Sequence, residues 1–298
     1  MPKPNSLLSN SLRTRRRPCR PQSGVTLIEL LIAAAIFLVF LIAIVGLTVQ
    51  NQNTFIAQEE IAATQQDTRG ALLTMANALL LGGCGVPGLQ SDPGGTAQNL
   101  AFINADAAAV TFRGCFADPP VRAALNGPVT VPAGLGGVGP FPVDIADAFL
   151  ANDPIFLFSS NRWAYGTVTA VDTALDQLTV NFTAANIVPN TFGSGSLVYR
   201  EEIMTFDLNA GVLRRTLTLG GGAAATVPLA SNVTALQFTY FDPGGAVPGT
   251  PLALADLRQV HGVQIDLTLQ TQRRNPQTGQ FMTVRLTTAV QPRNMFQN

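Results

Sequence analysis

The chain has 298 residues, of which 12% are charged and 47% hydrophobic, with one histidine and three cysteines. Its 18 basic and 18 acidic residues cancel, yet six of the bases (Lys3, Arg13, Arg15, Arg16, Arg17 and Arg20) precede Gly24 in a stretch without an acid. The rest of the chain therefore holds 12 bases against 18 acids, near −6, which argues against a general polyanion-binding surface.

The basic leader, residues 1–24, is followed by an apolar segment from Val25 to Val49. Arginines before a span hold the N-terminus in the cytoplasm, which sends residues 50–298 outside. Six positive charges beside a membrane segment need no nucleic-acid partner to explain them. One acid, Glu29, interrupts the apolar run. A carboxylate within a membrane segment costs roughly 2.5–3.5 kcal/mol on insertion scales, so it marks a functional site with a partner. A cut between Gly24 and Val25 would create an α-amine four residues before Glu29, on the same helix face. An acid in the first turn is also favoured by the helix dipole. A secretory signal cut after Ala33-Ala34-Ala35 and a plain single-span anchor are the competing readings. Neither accounts for Glu29 or for the Gly24 junction.

The run Gln22-Ser-Gly-Val-Thr-Leu-Ile-Glu-Leu-Leu31 resembles the class III signal of type IV prepilins and pseudopilins. The resemblance implies that a membrane prepilin peptidase cuts after Gly24, that the new N-terminus at Val25 is methylated, and that Glu29 helps the subunit enter a growing filament. Val25 departs from the phenylalanine usual at the first mature position.

Val25 to Leu81 contains no proline. After Val49 the character becomes mixed, with Phe55, Ile61, Leu72, Leu73, Ala76, Leu79 and Leu80, and the later positions recur at the spacing of an amphipathic helix with one buried stripe. Gly82-Gly83 and Pro87 are stop signals. One helix is expected, with residues 25–49 in the membrane or filament core and 50–83 carrying a domain. At about 55–57 residues it would be roughly 85 Å long.

From residue 84 to 298 the pattern turns to strands. Ala109–Phe116, Ile155–Phe158, Trp163–Val171, Gln177–Phe182, Leu197–Asp207, Val212–Leu219, Val233–Phe241, Val260–Gln270 and Met282–Val290 are rich in β-branched and aromatic residues. In Val263–Gln270 the apolar positions are 263, 265, 267 and 269. Asp207–Gly211, Asp242–Gly245 and Asn275–Gly279 read as turns. The Pro/Gly-rich stretch 117–142 is the expected exposed insertion. The fold class is α+β, a long helix on an antiparallel β-rich domain.

The series Tyr199-Arg200, Phe206–Arg214, Leu229–Tyr240 and Val260–Leu269 looks like minor pilins of the PilW type, whose relatives are the J-type pseudopilins. The helix end Asp67–Gly83 also resembles that family, with Leu80-Leu81 in place of the basic residue usual before the small pair.

Cys19 falls in the leader. Cys84 and Cys115 remain as an even pair in an oxidising compartment, favouring a bridge over two buried free thiols. Gly134–Gly139 fits G-x-G-x-x-G, but Pro140 and Pro142 stand where a phosphate-binding helix should begin, so it reads as a loop. His261 has no Cys or His neighbours, and Asp207, Asn209 and Gly211 lack the terminal acid of a calcium loop. Trp163, Tyr165, Tyr199 and Tyr240 read as core or strand-face residues. No catalytic set, metal site or cofactor is expected. The expected function is a minor pilin of a type IV pilus that primes filament assembly or lies near the tip, partnered by the prepilin peptidase, other minor and major pilins and the inner-membrane assembly platform, with the surface ligand unknown. A J-type pseudopilin of a type II secretion system is the alternative, and a membrane-anchored adhesin or envelope-binding module that is never polymerised comes from another class.

Overall fold

The computed structural model describes residues 24–86, 101–117, 119–160, 162–247 and 249–292. The leader with Cys19, and Pro87, lie outside the described residues. A single helix, α1, runs from Leu27 to Leu80. The chain divides into two compact units, Met1–Gln52 and Asn53–Asn298, with the boundary inside this helix.

In the first unit every residue from 24 to 52 is exposed. The helix there contains an 18-residue window of mean hydropathy 3.2, none of it buried. In the second unit α1 buries Thr64, Thr68, Ala71, Leu72, Met75, Ala78 and Leu79. The three- and four-residue steps define one stripe. The two threonines are tolerated there because each hydroxyl donates to the carbonyl one turn back, Thr64 to Glu60 at 2.7 Å and Thr68 to Thr64 at 2.6 Å. Phe55 and Leu73, apolar members of the expected pattern, lie outside this stripe at 71% and 62% exposed.

The helix closes through Leu81 N–H to Ala78 and Gly82 N–H to Leu79, with Gly83 at φ 79°. Gly82 then forms a bridge with Gly114. A Cβ on Gly114 would meet the Leu81 carbonyl oxygen at 2.7 Å, so the helix exit and the next strand meet backbone to backbone.

Seventeen strands follow among the described residues. The first two are β1 (Phe102–Ala105) and β2 (Ala109–Arg113). Eight more form a module of their own: β3 (Arg122–Ala124), β4 (Val129–Val131), β5 (Gly136–Pro142), β6 (Pro154–Ser159), β7 (Arg162–Asp172), β8 (Gln177–Ala185), β9 (Asn190–Phe192) and β10 (Leu197–Arg200). The chain then continues through β11 (Glu202–Asn209), β12 (Val212–Leu219), β13 (Ala225–Ala230), β14 (Val233–Asp242), β15 (Gly245–Ala246), the short helix α2 (Leu254–Leu257), β16 (Gly262–Arg274) and β17 (Phe281–Val290).

A sheet in the order β1-β2-β11-β12-β13 and another in the order β15-β14-β16-β17 share one core with the buried stripe of α1. Phe112, Phe206, Phe238, Met75 and the inward positions 263, 265, 267 and 269 meet there. The module has a six-stranded sheet, β3-β10-β6-β7-β8-β5, and a β4-β9 ribbon around a separate core that includes Phe141, Leu157, Val180, Phe182 and Phe192.

The insertion is larger than expected and is not an exposed excursion. Strand β2 pairs with β11, Arg113 opposite Ile203, and the whole module lies between them in sequence. Residues 117–142 contribute Val129, Val131 and Phe141 to the module's core. Gly136–Pro142, which overlaps the glycine loop expected at Gly134–Gly139, is strand β5. The strand expected over Leu197–Asp207 breaks at Glu201, where the chain leaves one sheet for the other.

Candidate functional site

The junction at Gly24 opens onto α1, whose first turn is closed by its own side chains. The Glu29 backbone N–H donates to the Thr26 hydroxyl oxygen at 3.4 Å, and Glu29 Oε2 accepts from the Thr26 N–H and the Thr26 hydroxyl, each at 3.3 Å. This is a reciprocal capping box, with Thr26 as the N-cap and Glu29 three residues on. Glu29 is exposed, Val25 is 72% exposed, and a Cβ on Gly24 would meet nothing within 4 Å. The carboxylate therefore satisfies the Thr26 N–H and hydroxyl at its own helix start while remaining open to a further cation. The Thr-x-x-Glu spacing was present in the sequence as a capping signature.

At the other end of the helix, Cys84 and Cys115 are joined in a disulfide with their Cα atoms 5.3 Å apart. Beside it, the Gly83 N–H donates to the Arg113 carbonyl at 2.9 Å.

A cluster that sequence reading did not find lies where the inserted module meets the helix-bearing core. Arg113 pairs with Glu201 Oε1, and the Tyr165 hydroxyl donates to Glu201 Oε2 at 2.9 Å. Arg200 pairs with Glu202 Oε1 at 3.1 Å, while Glu202 Oε2 accepts from the N–H groups of Phe116 and Ala117. Asp153 accepts from Gly221 N–H at 3.1 Å and from Leu150 N–H at 2.9 Å. A Cβ at Gly221 would approach the Asn152 carbonyl oxygen to 2.2 Å, so the glycine turn docks directly on the module. Burial first, then the Glu201 carboxylate, pushes the Tyr165 phenol well above its ordinary range. Every carboxylate oxygen of Asp153, Glu201 and Glu202 has a donor. The seam joins the two cores. Its signal in the sequence was the pair Glu201-Glu202 beside Arg200, in a stretch otherwise read as one continuous strand.

The remaining candidates resolve into local structure. Asp207 pairs with Arg214 across the β11–β12 hairpin, whose turn residues Ala210 and Gly211 both have positive φ. That is the geometry of a two-residue hairpin turn. His261 Nδ1 lies 2.9 Å from the Gln259 carbonyl. Trp163 and Tyr240 are buried, and Tyr199 stacks on Phe158. Among the described residues no group of three or more His, Cys, Asp or Glu side chains is placed to hold a metal.

Residues 19–45 match the family model of the prokaryotic N-terminal methylation motif. No curated protein sequence matches the chain. Among solved structures, a type IV-like pilin from Thermus thermophilus aligns at 13% identity over 49% of this chain and 86% of that chain, with a TM-score of 0.25. The methylation motif leads into a membrane-length helix, and antiparallel β-sheets follow it in the chain.

Proposed function

We propose that this chain is a minor subunit of a type IV pilus, made as a single-pass inner-membrane prepilin with its N-terminus in the cytoplasm and residues 84–298 in the periplasm, then moved to the filament and the cell surface. The prepilin peptidase cuts between Gly24 and Val25, the Val25 amine is methylated, and residues 25–49 pass from the bilayer into the filament core. Other minor and major pilins contact this helix there, and the inner-membrane assembly platform receives it. The observation that carries the reading is the methylation motif over residues 19–45 with Glu29 at the head of a helix that is apolar to Val49 and entirely exposed to Gln52.

The chemistry of Glu29 follows from its cap. In the precursor its carboxylate is partly compensated by the Thr26 N–H and hydroxyl, which offsets some of the cost of placing an acid in an apolar segment. Cleavage brings a cationic amine to Val25, one residue before the cap. The carboxylate then has a cation to meet, on its own chain or on a packed neighbour, and the second choice drives one subunit against the next. Glu29→Ala should insert and be cleaved normally yet be depleted in sheared filaments. Equal incorporation of the variant and the wild type would defeat the mechanism. The bulky inserted module favours a low-copy position over the repeating body of a filament. Deleting the gene should therefore reduce the number of pili and leave their diameter unchanged.

A further inference from the structure

The inserted module closes on itself. Its outer strands β3 and β5 meet at one corner, where Leu125 bridges Val143. There the Asn126 N–H donates to the Pro142 carbonyl at 3.0 Å, and the Asp144 N–H donates to the Ala124 carbonyl at 2.9 Å. The order β3-β10-β6-β7-β8-β5 therefore wraps into a six-stranded barrel. The cluster that fills it, which includes Leu125, Leu157, Val168, Val180, Phe182 and Val198, is apolar.

The β4–β9 ribbon covers this core. It consists of the pairs Val129–Phe192, Thr130–Thr191 and Val131–Asn190, and neither strand has another sheet neighbour among the described residues. Thr130 and Thr191 face outward with their hydroxyls 3.1 Å apart. Val129, Val131 and Phe192 face inward, are 0–3% exposed and belong to the core. By the two-residue repeat of a strand, Asn190 shares the inward face of Phe192. It is 1% exposed, and neither its Oδ1 nor its Nδ2 meets a hydrogen-bonding group among the described residues.

A primary amide brings two donors and two acceptor lone pairs. Burying it in hydrocarbon without partners is unfavourable, and native proteins meet such groups with ordered water. Water fits the chemistry of Asn190 because it is small and both donates and accepts; an apolar guest would satisfy neither amide atom. The ribbon supplies what else a buried water needs, which is further polar contacts and a way in. Each ribbon strand is paired on one side only, so alternate backbone groups on its other side are open to the same water. A two-stranded ribbon of three-residue strands is also marginal by itself, so it opens more readily than the barrel beneath it. We infer that Asn190 binds an internal water molecule at the mouth of the barrel and that the β4–β9 ribbon is the lid through which this water exchanges. The inference concerns the module alone and stands independently of the filament reading.

The test combines a crystal structure of the full mature protein in detergent, at a resolution that shows waters, with hydrogen exchange of the same chain read by mass spectrometry. A water should lie about 2.7–3.2 Å from Asn190 Oδ1 or Nδ2. Asn190→Leu, of similar size and without a polar atom, should exclude it and slow amide exchange over 129–131 and 190–192 by about tenfold. Asn190→Ser keeps a donor and an acceptor in a roomier site, so it should retain a water and leave exchange at least as fast as in the wild type. A wild-type site in which both amide atoms bond to protein groups would overturn the proposal, as would one filled by an organic molecule. Exchange in Asn190→Leu as fast as in the wild type would overturn it too. The wild-type density and Asn190→Ser decide the matter even where Asn190→Leu fails to fold.

Discussion

The two compact units solve opposite problems. Residues 53–298 close on themselves, with two cores in which Phe112, Phe206, Leu267, Leu157 and Phe192 are all 0% exposed. Residues 24–52 bury nothing, although Leu31, Ile36, Phe40 and Ile44 would be ordinary core residues elsewhere. Apolar surface driven from water contributes on the order of 25 cal/mol per Å² only when something covers it. For the second unit that something is the chain itself. For the first, on the proposed function, it is a bilayer or the helices of other subunits. Substitutions should therefore cost folding stability in one unit and insertion or assembly in the other.

The sharpest contrast comes from paired truncations. Phe112→Ala should lower the stability of the β-rich unit by about 3–5 kcal/mol, read by chemical denaturation and circular dichroism. Ile36→Ala should leave that unfolding transition where it is. A shift of similar size from Ile36→Ala would mean that the first unit packs against the second, and the contrast would fail.

The seam between the two cores offers a different break. Glu201→Leu alone takes the carboxylate away from the buried Arg113 guanidinium, which should cost roughly 3–5 kcal/mol. Adding Arg113→Met should recover much of that loss, because removing both charges also removes their desolvation penalty. Denaturation of the single and double variants checks it, and a double variant no better than the single would show that the pair itself is stabilising. The disulfide comes next. Replacing Cys84 and Cys115 with serine opens a loop spanning 31 residues and should cost about 3–4 kcal/mol by the loop-entropy estimate, without altering membrane anchoring. Thermal unfolding and membrane fractionation read the two effects separately.

The smallest effect concerns pH. The Thr287 hydroxyl, then Gln264 and Arg285, hold the Asp266 carboxyl below its ordinary value of 3.8. A lowered pKa in the folded state means that this contribution is fully present above that value and is lost as pH falls below it, where the unfolded chain takes up the proton first. Asp266→Asn should flatten the acid limb of the stability profile and change little near neutrality. An unchanged acid limb would show that the local hydrogen bonds do not favour the ionised form.

How much of this was legible follows from how local each signal is. The helix could be read because uninterrupted apolar sequence and a later three-and-four spacing are contained within the element. Strands such as β12, β14 and β16 could be read for the same reason, through their alternation. The inserted module could not, because the pairing of Arg113 with Ile203 joins positions ninety residues apart and leaves no trace near either. The break at Glu201 was hidden by flanks that both suit a strand. Strands β3, β4 and β9 were missed because three residues cannot establish a period, and β5 because its glycines and prolines belong to a chain turning at a sheet edge. At the candidate site the residues Gly24, Val25 and Glu29 were visible from their order alone. Thr26 was visible too, but its role appeared only once the helix start placed its hydroxyl and Glu29 within reach of each other.

The central claim is that the exposed first unit is a processed assembly segment and not a plain anchor. Intact-mass measurement of protein extracted from membranes tests it most directly. The expected product begins at Val25 and carries one added methyl group. A product that still contains Arg13–Arg20, or one that begins at Ile36 after the Ala33-Ala34-Ala35 run, would contradict it.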